Sequence, residues 1–308
     1  MKFLQEIFLY IILFSTPLTL LSQISHNEAI KATNDKSFVS LYNIDDNLNN
    51  NPIEMKVVND FYFRFGADKR VALAFHPRAY LRMYFENNFR TLSPTFCPDV
   101  SVYYRLFTKK NFKVRYYEFK PGYITNAMSD PFLNEDSTIN YQTGKFNTMF
   151  IDVSYNKARP ITLKKNTLWS VCYKYWARYY MPNEMEDALK DRFDNIQAGM
   201  EVHVFNNYYK YWKGPKTDTY AFNNSPLDIH LTAKACILFE NFTLDRLKQG
   251  KTYNVNLNLS VRPLKKMDYF VFFEFYYGAD YYNLFFDESI YIYRLGVIAN
   301  PVALSIFN

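Results

Sequence analysis

Apolar and polar residues alternate along most of the chain with a period of two. The clearest stretch is YNVNLNLSV at 253–261, where valines and leucines share one face and asparagines and a serine share the other. Because successive side chains of a β-strand point to opposite faces, this alternation predicts a strand with one apolar and one polar face. Similar stretches recur, and we predict about twelve strands: 38–43, 58–66, 79–88, 99–107, 112–120, 147–155, 169–180, 195–205, 229–239, 253–261, 268–277 and 289–298.

Strand length and strand number favour a membrane barrel. Strands of about ten residues cross the apolar core of a bilayer when they are tilted. An even number of antiparallel strands can close into a barrel and leave no open edge. The chain also carries 28 Tyr and 29 Phe, and aromatic residues form girdles at the interfaces of such barrels. We therefore predict an all-β fold, a transmembrane antiparallel β-barrel over 57–308; a soluble β-sandwich or lipid-carrying barrel is the alternative.

The first residues predict a secretory signal peptide. Lys2 precedes an apolar run at 8–21, which is short for a membrane-spanning helix, and we place the cleavage point after Ser22. An uncleaved anchor is the alternative. We predict a signal peptide at 1–22, and a lead-in with the first strand at 23–56. Acidic residues followed by basic residues at 181–193 predict a helical turn within a loop.

Charge, cysteine and histidine content argue against several functions. The net charge is +6, but the basic residues are scattered over predicted turns, so nucleic acid is not a predicted partner. The three cysteines have no C-x-x-C spacing, and the four histidines form no H-x-x-x-H pattern. Zinc and redox chemistry are therefore not predicted.

The stretch EFKPGYITNAMSDP, which starts at Glu118, places polar groups on the apolar face of a predicted strand. Glu118 and Lys120 must face the lumen, because a charge on the lipid side is costly near the bilayer midplane. Tyr123 and Thr125 have the opposite parity and therefore point outward. Asn147 begins the next predicted strand and also has outward parity. Since consecutive strands usually pair, these three polar side chains are predicted to meet on the outside of the barrel.

This stretch resembles the motif E-x-G-Y-x-H-x-S-N-G-R-S-D-P of the outer membrane phospholipases A of Gram-negative bacteria. The ungapped alignment has five identities, at Glu118, Asn126, Ser129, Asp130 and Pro131. The family's catalytic histidine falls on Tyr123, its serine on Thr125 and its orienting asparagine on Asn147. The resemblance extends over about 57–298. It implies a twelve-stranded barrel in the outer membrane that hydrolyses phospholipids from its outer surface.

Two departures from the motif predict that ester hydrolysis is lost. A hydroxyl attacks an ester when a base takes its proton, and that base is usually a neutral imidazole. A phenol, with an ordinary pKa of about 10, is a poor base at neutral pH. Thr125 keeps the hydroxyl but adds a methyl group that restricts χ1. A second alignment, on Gly122 and Tyr123, puts Thr125 at the histidine and Ala127 at the serine. We therefore predict a phospholipase A-like pseudoenzyme.

Two other functions remain open from the sequence. An active calcium-dependent phospholipase A would use Thr125 as nucleophile, and Asn147 would orient a base such as His76 or His203. The second possible function is that of an outer-membrane channel or structural barrel. Its narrow lumen is predicted to be filled by charged side chains, namely Glu118, Lys120, Asp152 and Lys174.

The resemblance also implies calcium and partners. In the family, calcium lies beside the site and helps to stabilise an oxyanion. Ser129 and Asp130, together with Glu135 and Asp136, offer hard oxygen ligands for such an ion; an acidic loop in solvent is the alternative. Family members pair with calcium and substrate between two barrels. Membrane phospholipids and a homodimer are therefore the implied partners.

Overall fold

The fold is a single β-sheet of sixteen strand segments. A computed structural model describes residues 37–45, 53–58, 61–65, 70–83, 94–106, 114–126, 130–131, 133–136, 140, 145–164, 167–181, 195–206, 228–239, 252–262, 269–279, 289–299 and 304–305. Within these ranges, no helix has the length and apolar character needed to cross a membrane. The predicted signal peptide and the predicted helical turn at 181–193 fall outside the described residues, apart from Met181.

The strands follow one another along the chain with these bounds: β1 Ser37–Asp45, β2 Ile53–Val58, β3 Phe61–Phe65, β4 Val71–His76, β5 Arg78–Met83, β6 Thr95–Phe96, β7 Asp99–Leu106, β8 Val114–Thr125, β9 Asn147–Lys164, β10 Thr167–Met181, β11 Ile196–Asn206, β12 Asp228–Leu238, β13 Tyr253–Arg262, β14 Tyr269–Ala279, β15 Ser289–Ala299 and β16 Leu304–Ser305.

The sheet closes into a barrel. From β8 to β15 each strand pairs with the next, and β15 then pairs with β1. The ring continues through β2, β5 and β6 and returns to β8. All of these pairings are antiparallel, and β16 adds a short parallel pairing with β3. Closure satisfies the backbone groups that an open sheet would leave unpaired at its edges.

Three barrel strands are interrupted, and each of them is divided into two of the sixteen segments. β2 continues into β3, β4 into β5, and β6 into β7. The last two breaks contain Pro77 and Pro98, and proline has no N–H to give to a strand ladder. With these segments joined and β16 set aside, the barrel has twelve antiparallel strands, as predicted.

Each of the three interrupted strands begins earlier than predicted, and the difference is largest for one of them. The strand predicted at 79–88 in fact begins at Val71, with β4, and continues through β5. In β4, Ala72 and Ala74 face the lumen, while Leu73 and Phe75 point outward. Both faces of this segment are apolar, so it shows no alternation of apolar and polar residues. β9 also extends past its predicted end, to Lys164.

Side chains alternate between lumen and outer face as predicted. On β8 the Glu118 side chain is only 4% exposed, whereas its neighbour Tyr117 is 51% exposed. On β13, Leu257 and Leu259 are exposed and Ser260 is buried. The buried polar and charged side chains thus lie in the lumen, together with some apolar ones, and large apolar side chains cover the outside.

The lumen beside β8 and β10 is filled in layers. Along β8, an apolar segment around Tyr116 is followed by charged Glu118 and Lys120, and then by apolar Ile124. Two buried apolar clusters, one on each side of the charged layer, account for this order. The first comprises Ala72, Ala74, Tyr103, Val114, Tyr116, Ala158, Cys172 and Phe205. The second comprises Cys97, Ile124, Phe146, Phe150 and Tyr180.

Lumenal aromatic rings lie directly over glycines of the neighbouring strand at two places. Gly122 is paired with Phe150, and Gly296 is paired with Phe272. A Cβ at Gly122 would lie 2.2 Å from Cζ of Phe150, and one at Gly296 would lie 2.6 Å from Cε1 of Phe272. The missing side chains therefore let large rings pack against the barrel wall.

Candidate functional site

Pairing of β8 with β9 brings the predicted site residues together. Thr125 lies directly opposite Asn147, and Tyr123 lies opposite Met149. Directly opposed residues have Cβ atoms about 4.5–5.5 Å apart, and diagonal neighbours remain within reach of an aromatic side chain. Tyr123 is such a diagonal neighbour of Asn147. The predicted pairing of these two strands is confirmed.

The three polar side chains of the candidate site are surrounded by apolar side chains on the outer face. Thr125, Tyr123 and Asn147 are all partly exposed. Thr125 is also opposite Phe96 of β6. Phe96 and Met149 are exposed large apolar side chains. The hydroxyl of Thr125 and the carboxamide of Asn147 therefore lie opposite each other at one end of the apolar outer face of the barrel.

Asn126 fixes the end of the hairpin that carries the site. Its side-chain Oδ1 accepts a hydrogen bond from the Phe146 N–H at 2.9 Å, and its own N–H donates to the Phe146 carbonyl at 3.1 Å. The Asn126 side chain is buried. Because Asn126 follows Thr125 and Phe146 precedes Asn147, these bonds hold the opposed pair in register. The motif alignment includes Asn126, but its bonding role depends on partners that the sequence does not show.

Glu118, the first residue of the motif, has a structural position inside the barrel. Its carboxylate accepts hydrogen bonds from Lys174 Nζ at 2.9 Å, from Ser154 Oγ at 2.9 Å and from Ser101 Oγ at 3.1 Å. All four side chains are buried. Glu118 therefore belongs to the lumenal network and lies on the opposite side of the wall from Thr125.

A second lumenal carboxylate is shared by two cations. Asp152 accepts two hydrogen bonds from Arg178, at 2.5 Å to Oδ1 and at 2.8 Å to Oδ2. Lys120 Nζ lies 3.2 Å from the same Oδ2 atom. The guanidinium also stacks over Phe150, 4.5 Å from the ring centroid. Arg178 has the same parity as Lys174 on β10, which was a usable sequence signal for its lumenal position.

The described histidines lie in the lumen. His76 Nε2 is 3.4 Å from the Tyr103 hydroxyl. His203 Nε2 is 3.1 Å from a Glu201 oxygen, and its Nδ1 is 3.3 Å from the Thr232 hydroxyl. His230 contacts the same threonine, and all three imidazoles are buried. The barrel wall therefore separates His76 and His203 from the outward-facing Thr125. His26 is outside the described residues.

The predicted calcium ligands do not gather in the described part of the loop. Asp130, Glu135 and Asp136 are exposed, and Ser129 lies outside the described residues. The Asp130 carbonyl accepts a hydrogen bond from the Lys145 N–H at 2.8 Å. Among the residues with described positions, no group of three or more His, Cys, Asp or Glu could hold a metal ion. The described part of the loop thus shows no cluster of acidic ligands, and the calcium role of Ser129 and Asp130 stays a prediction.

Comparison with known proteins shows similarity of fold. No family profile and no curated protein matches the sequence. Outer membrane phospholipase A from Escherichia coli is 12% identical over 87% of this chain and 98% of that chain, with a TM-score of 0.55. The Salmonella typhi outer membrane phospholipase, a dimer with bound calcium, is 10% identical over 87% and 91%, with a TM-score of 0.54. An active-site mutant of the Escherichia coli enzyme is 11% identical over 94% and 95%, with a TM-score of 0.56.

These identities are too low to show more than the architecture. By its fold, the protein belongs to the class of closed antiparallel β-barrels with twelve strands. In particular, the chain has the barrel fold seen in outer membrane phospholipase A.

Proposed function

We propose that this chain is an outer-membrane phospholipase A-like barrel that is deficient in phospholipid acyl-ester hydrolysis. One observation carries the proposal. Thr125 and Asn147 are directly opposed on the outer face of β8 and β9, and Tyr123 is beside them where a base is needed. The arrangement keeps a hydroxyl and an orienting carboxamide but has a phenol in place of an imidazole.

The chemical consequence is a large loss of rate. With a phenol where the family's imidazole base would be, the threonine hydroxyl remains a weak nucleophile. In a serine hydrolase, removal of the histidine alone lowers kcat by on the order of 10⁶-fold. The described lumenal histidines cannot replace it, because their imidazoles lie on the inner face of the sheet. An active enzyme based on His76 or His203 is therefore disfavoured.

The outer surface supports a location in a lipid bilayer. Large apolar side chains cover the outer face, including Tyr117, Phe119 and Val153 on the two strands that carry the site. A barrel of this kind crosses the outer membrane of a Gram-negative bacterium. The protein would then contact membrane phospholipids through this face, as a structural or lipid-contacting component. Pairing of two barrels through the same face is part of this proposal.

A lipase assay on the refolded barrel tests the proposal. The protein, folded in detergent micelles, is given a phospholipid or a chromogenic acyl ester with and without calcium. We expect turnover equal to that of the Thr125→Ala variant under both conditions. Turnover that is abolished by Thr125→Ala would instead identify Thr125 as a working nucleophile.

Restoring the missing groups tests the assignment of each position. We expect the double variant Tyr123→His with Thr125→Ser to gain ester hydrolysis above the parent protein. The matched control is Tyr117→His with Thr125→Ser, which adds an outward histidine on the same strand but away from Asn147. Equal rates for the two folded variants would contradict the role given to Tyr123.

A further inference from the structure

A cavity inside the barrel is surrounded by more positive than negative charge. Its volume is about 350 Å³, and seven Lys or Arg side chains and three carboxylates line it among the described residues. Two more carboxylates stand behind the lining: Glu118 bonds Lys174, and Asp99 bonds Arg78. Among the side chains whose positions are described, these five carboxylates against the seven cations leave an excess of two positive charges.

The excess is clearest where β8, β9 and β10 face the cavity. Three cations, Lys120, Lys174 and Arg178, share the two carboxylates Glu118 and Asp152. Arg178 already holds both oxygens of Asp152, at 2.5 and 2.8 Å. Lys120 Nζ is 3.2 Å from an oxygen that is thus already bonded. Lys120 is therefore the cation whose charge is least compensated within this group.

An excess of buried positive charge calls for a negative ligand. Charges removed from water are costly unless a partner of opposite sign compensates them. A cavity lined by charge of one sign, with walls of low dielectric constant, also concentrates counter-ions. Its volume is within the range of small-molecule sites, about 300–1,000 Å³. We propose that this lumenal cavity binds a small oxyanion, such as a phosphate or a carboxylate, through Lys120, Lys174 and Arg178.

This proposed site is separate from the outer face. Lys120 and Lys174 point into the lumen, whereas Thr125 has the opposite parity on β8. Loss or presence of ester hydrolysis therefore has no bearing on the oxyanion site. The two proposals can fail independently.

Trp176 provides a built-in reporter for the cavity. Its indole lines the cavity wall, and the Arg178 guanidinium carbon is 6.0 Å from its ring centroid. The chain has three tryptophans. Replacing Trp169 and Trp212 by phenylalanine leaves Trp176 as the single fluorescent tryptophan.

The first test compares quenchers of different charge on this single-tryptophan barrel in detergent. Iodide is an anion, acrylamide is neutral and caesium is a cation. We expect iodide to quench Trp176 about tenfold more effectively than caesium, because the cavity concentrates anions. Inorganic phosphate should relieve iodide quenching and saturate. Equal quenching by iodide and caesium, or no saturable effect of phosphate, would overturn the proposal.

The second test removes the surplus cation. Lys120→Met leaves Asp152 bonded to Arg178, so we expect the barrel to fold and its phosphate affinity to fall about tenfold, or about 1.4 kcal/mol. Lys145→Met makes the same change at an exposed hairpin position and should leave the affinity unchanged. Circular dichroism and heat-dependent gel migration report folding. Lys120→Gln replaces the methionine variant if that variant does not fold. Unchanged phosphate affinity in a folded Lys120 variant would refute the site.

Discussion

The buried ion pair of Glu118 and Lys174 offers a quantitative test of how the lumen stabilises the barrel. Glu118 is 4% exposed, and its carboxylate accepts three hydrogen bonds, from Lys174, Ser154 and Ser101. Glu118→Gln preserves the size of the side chain and an acceptor oxygen for the serines. It removes the charge that compensates Lys174.

The expected cost follows from the lysine, which keeps the electrostatic attraction of Glu201 and Asp152 but loses its hydrogen-bonded carboxylate. Breaking a buried ion pair by removing one partner costs about 3–5 kcal/mol. We expect the lower value, about 3 kcal/mol, because the amide can still accept hydrogen bonds from Ser154 and Ser101. The double variant Glu118→Gln with Lys174→Met removes both charges and should cost less than the single variant, by about 2 kcal/mol.

Urea unfolding of the barrel in detergent micelles measures these differences. With slopes of about 1–3 kcal/mol per molar urea, a loss of 3 kcal/mol lowers the midpoint by about 1–3 M. Glu135→Gln is the matched control, because Glu135 is an exposed loop carboxylate and should change stability by less than about 0.5 kcal/mol. The reasoning is refuted if Glu118→Gln behaves like Glu135→Gln, or if the double variant is less stable than the single one.

Three further predictions concern packing, the hairpin and transport. Gly122→Ala should destabilise the barrel by about 1–3 kcal/mol, because the new Cβ would meet the Phe150 ring; adding Phe150→Leu should recover part of this loss in the same urea titration. Asn126→Ala should cost about 1–3 kcal/mol by leaving the buried Phe146 N–H without its acceptor, whereas Asn126→Asp should cost less. In a planar bilayer, the layered lumen predicts no single-channel conductance above background; discrete conductance steps would favour a channel.

The outward orientation of the candidate site residues was predictable, because charged residues show which alternate positions of a strand face the lumen. Glu118 and Lys120 are two residues apart, so both face the lumen, and this places Tyr123 and Thr125 on the outer face. The Pro-Gly step at 121–122 could have reversed this phase by introducing a bulge, but the pairing with β9 runs through it without a shift.

For the charged residues of the lumen, the sequence predicted the direction of the side chains but not their bonding partners. Parity indicates that Asp152 and Lys174 face inward, but it does not say which cation each carboxylate bonds. In the structure, Asp152 on β9 forms an ion pair with Arg178 on the adjacent strand β10, and Glu118 on β8 forms one with Lys174 on β10, across the intervening strand β9. The lumenal place of His203 follows from parity with Glu201, two residues before it, whereas His76 lies on β4, where both faces are largely apolar and parity gives little signal.

The local alternation of side chains was enough to determine the all-β architecture, the number of barrel strands and, wherever apolar and polar residues alternate, the face on which a residue lies, because a period of two is a property of one strand alone. Which residues oppose each other was decided by tertiary structure. Backbone hydrogen bonds between strands are nearly indifferent to side-chain type, so the register of Thr125 against Asn147 depends on the Asn126 hairpin contacts and on packing around the whole barrel.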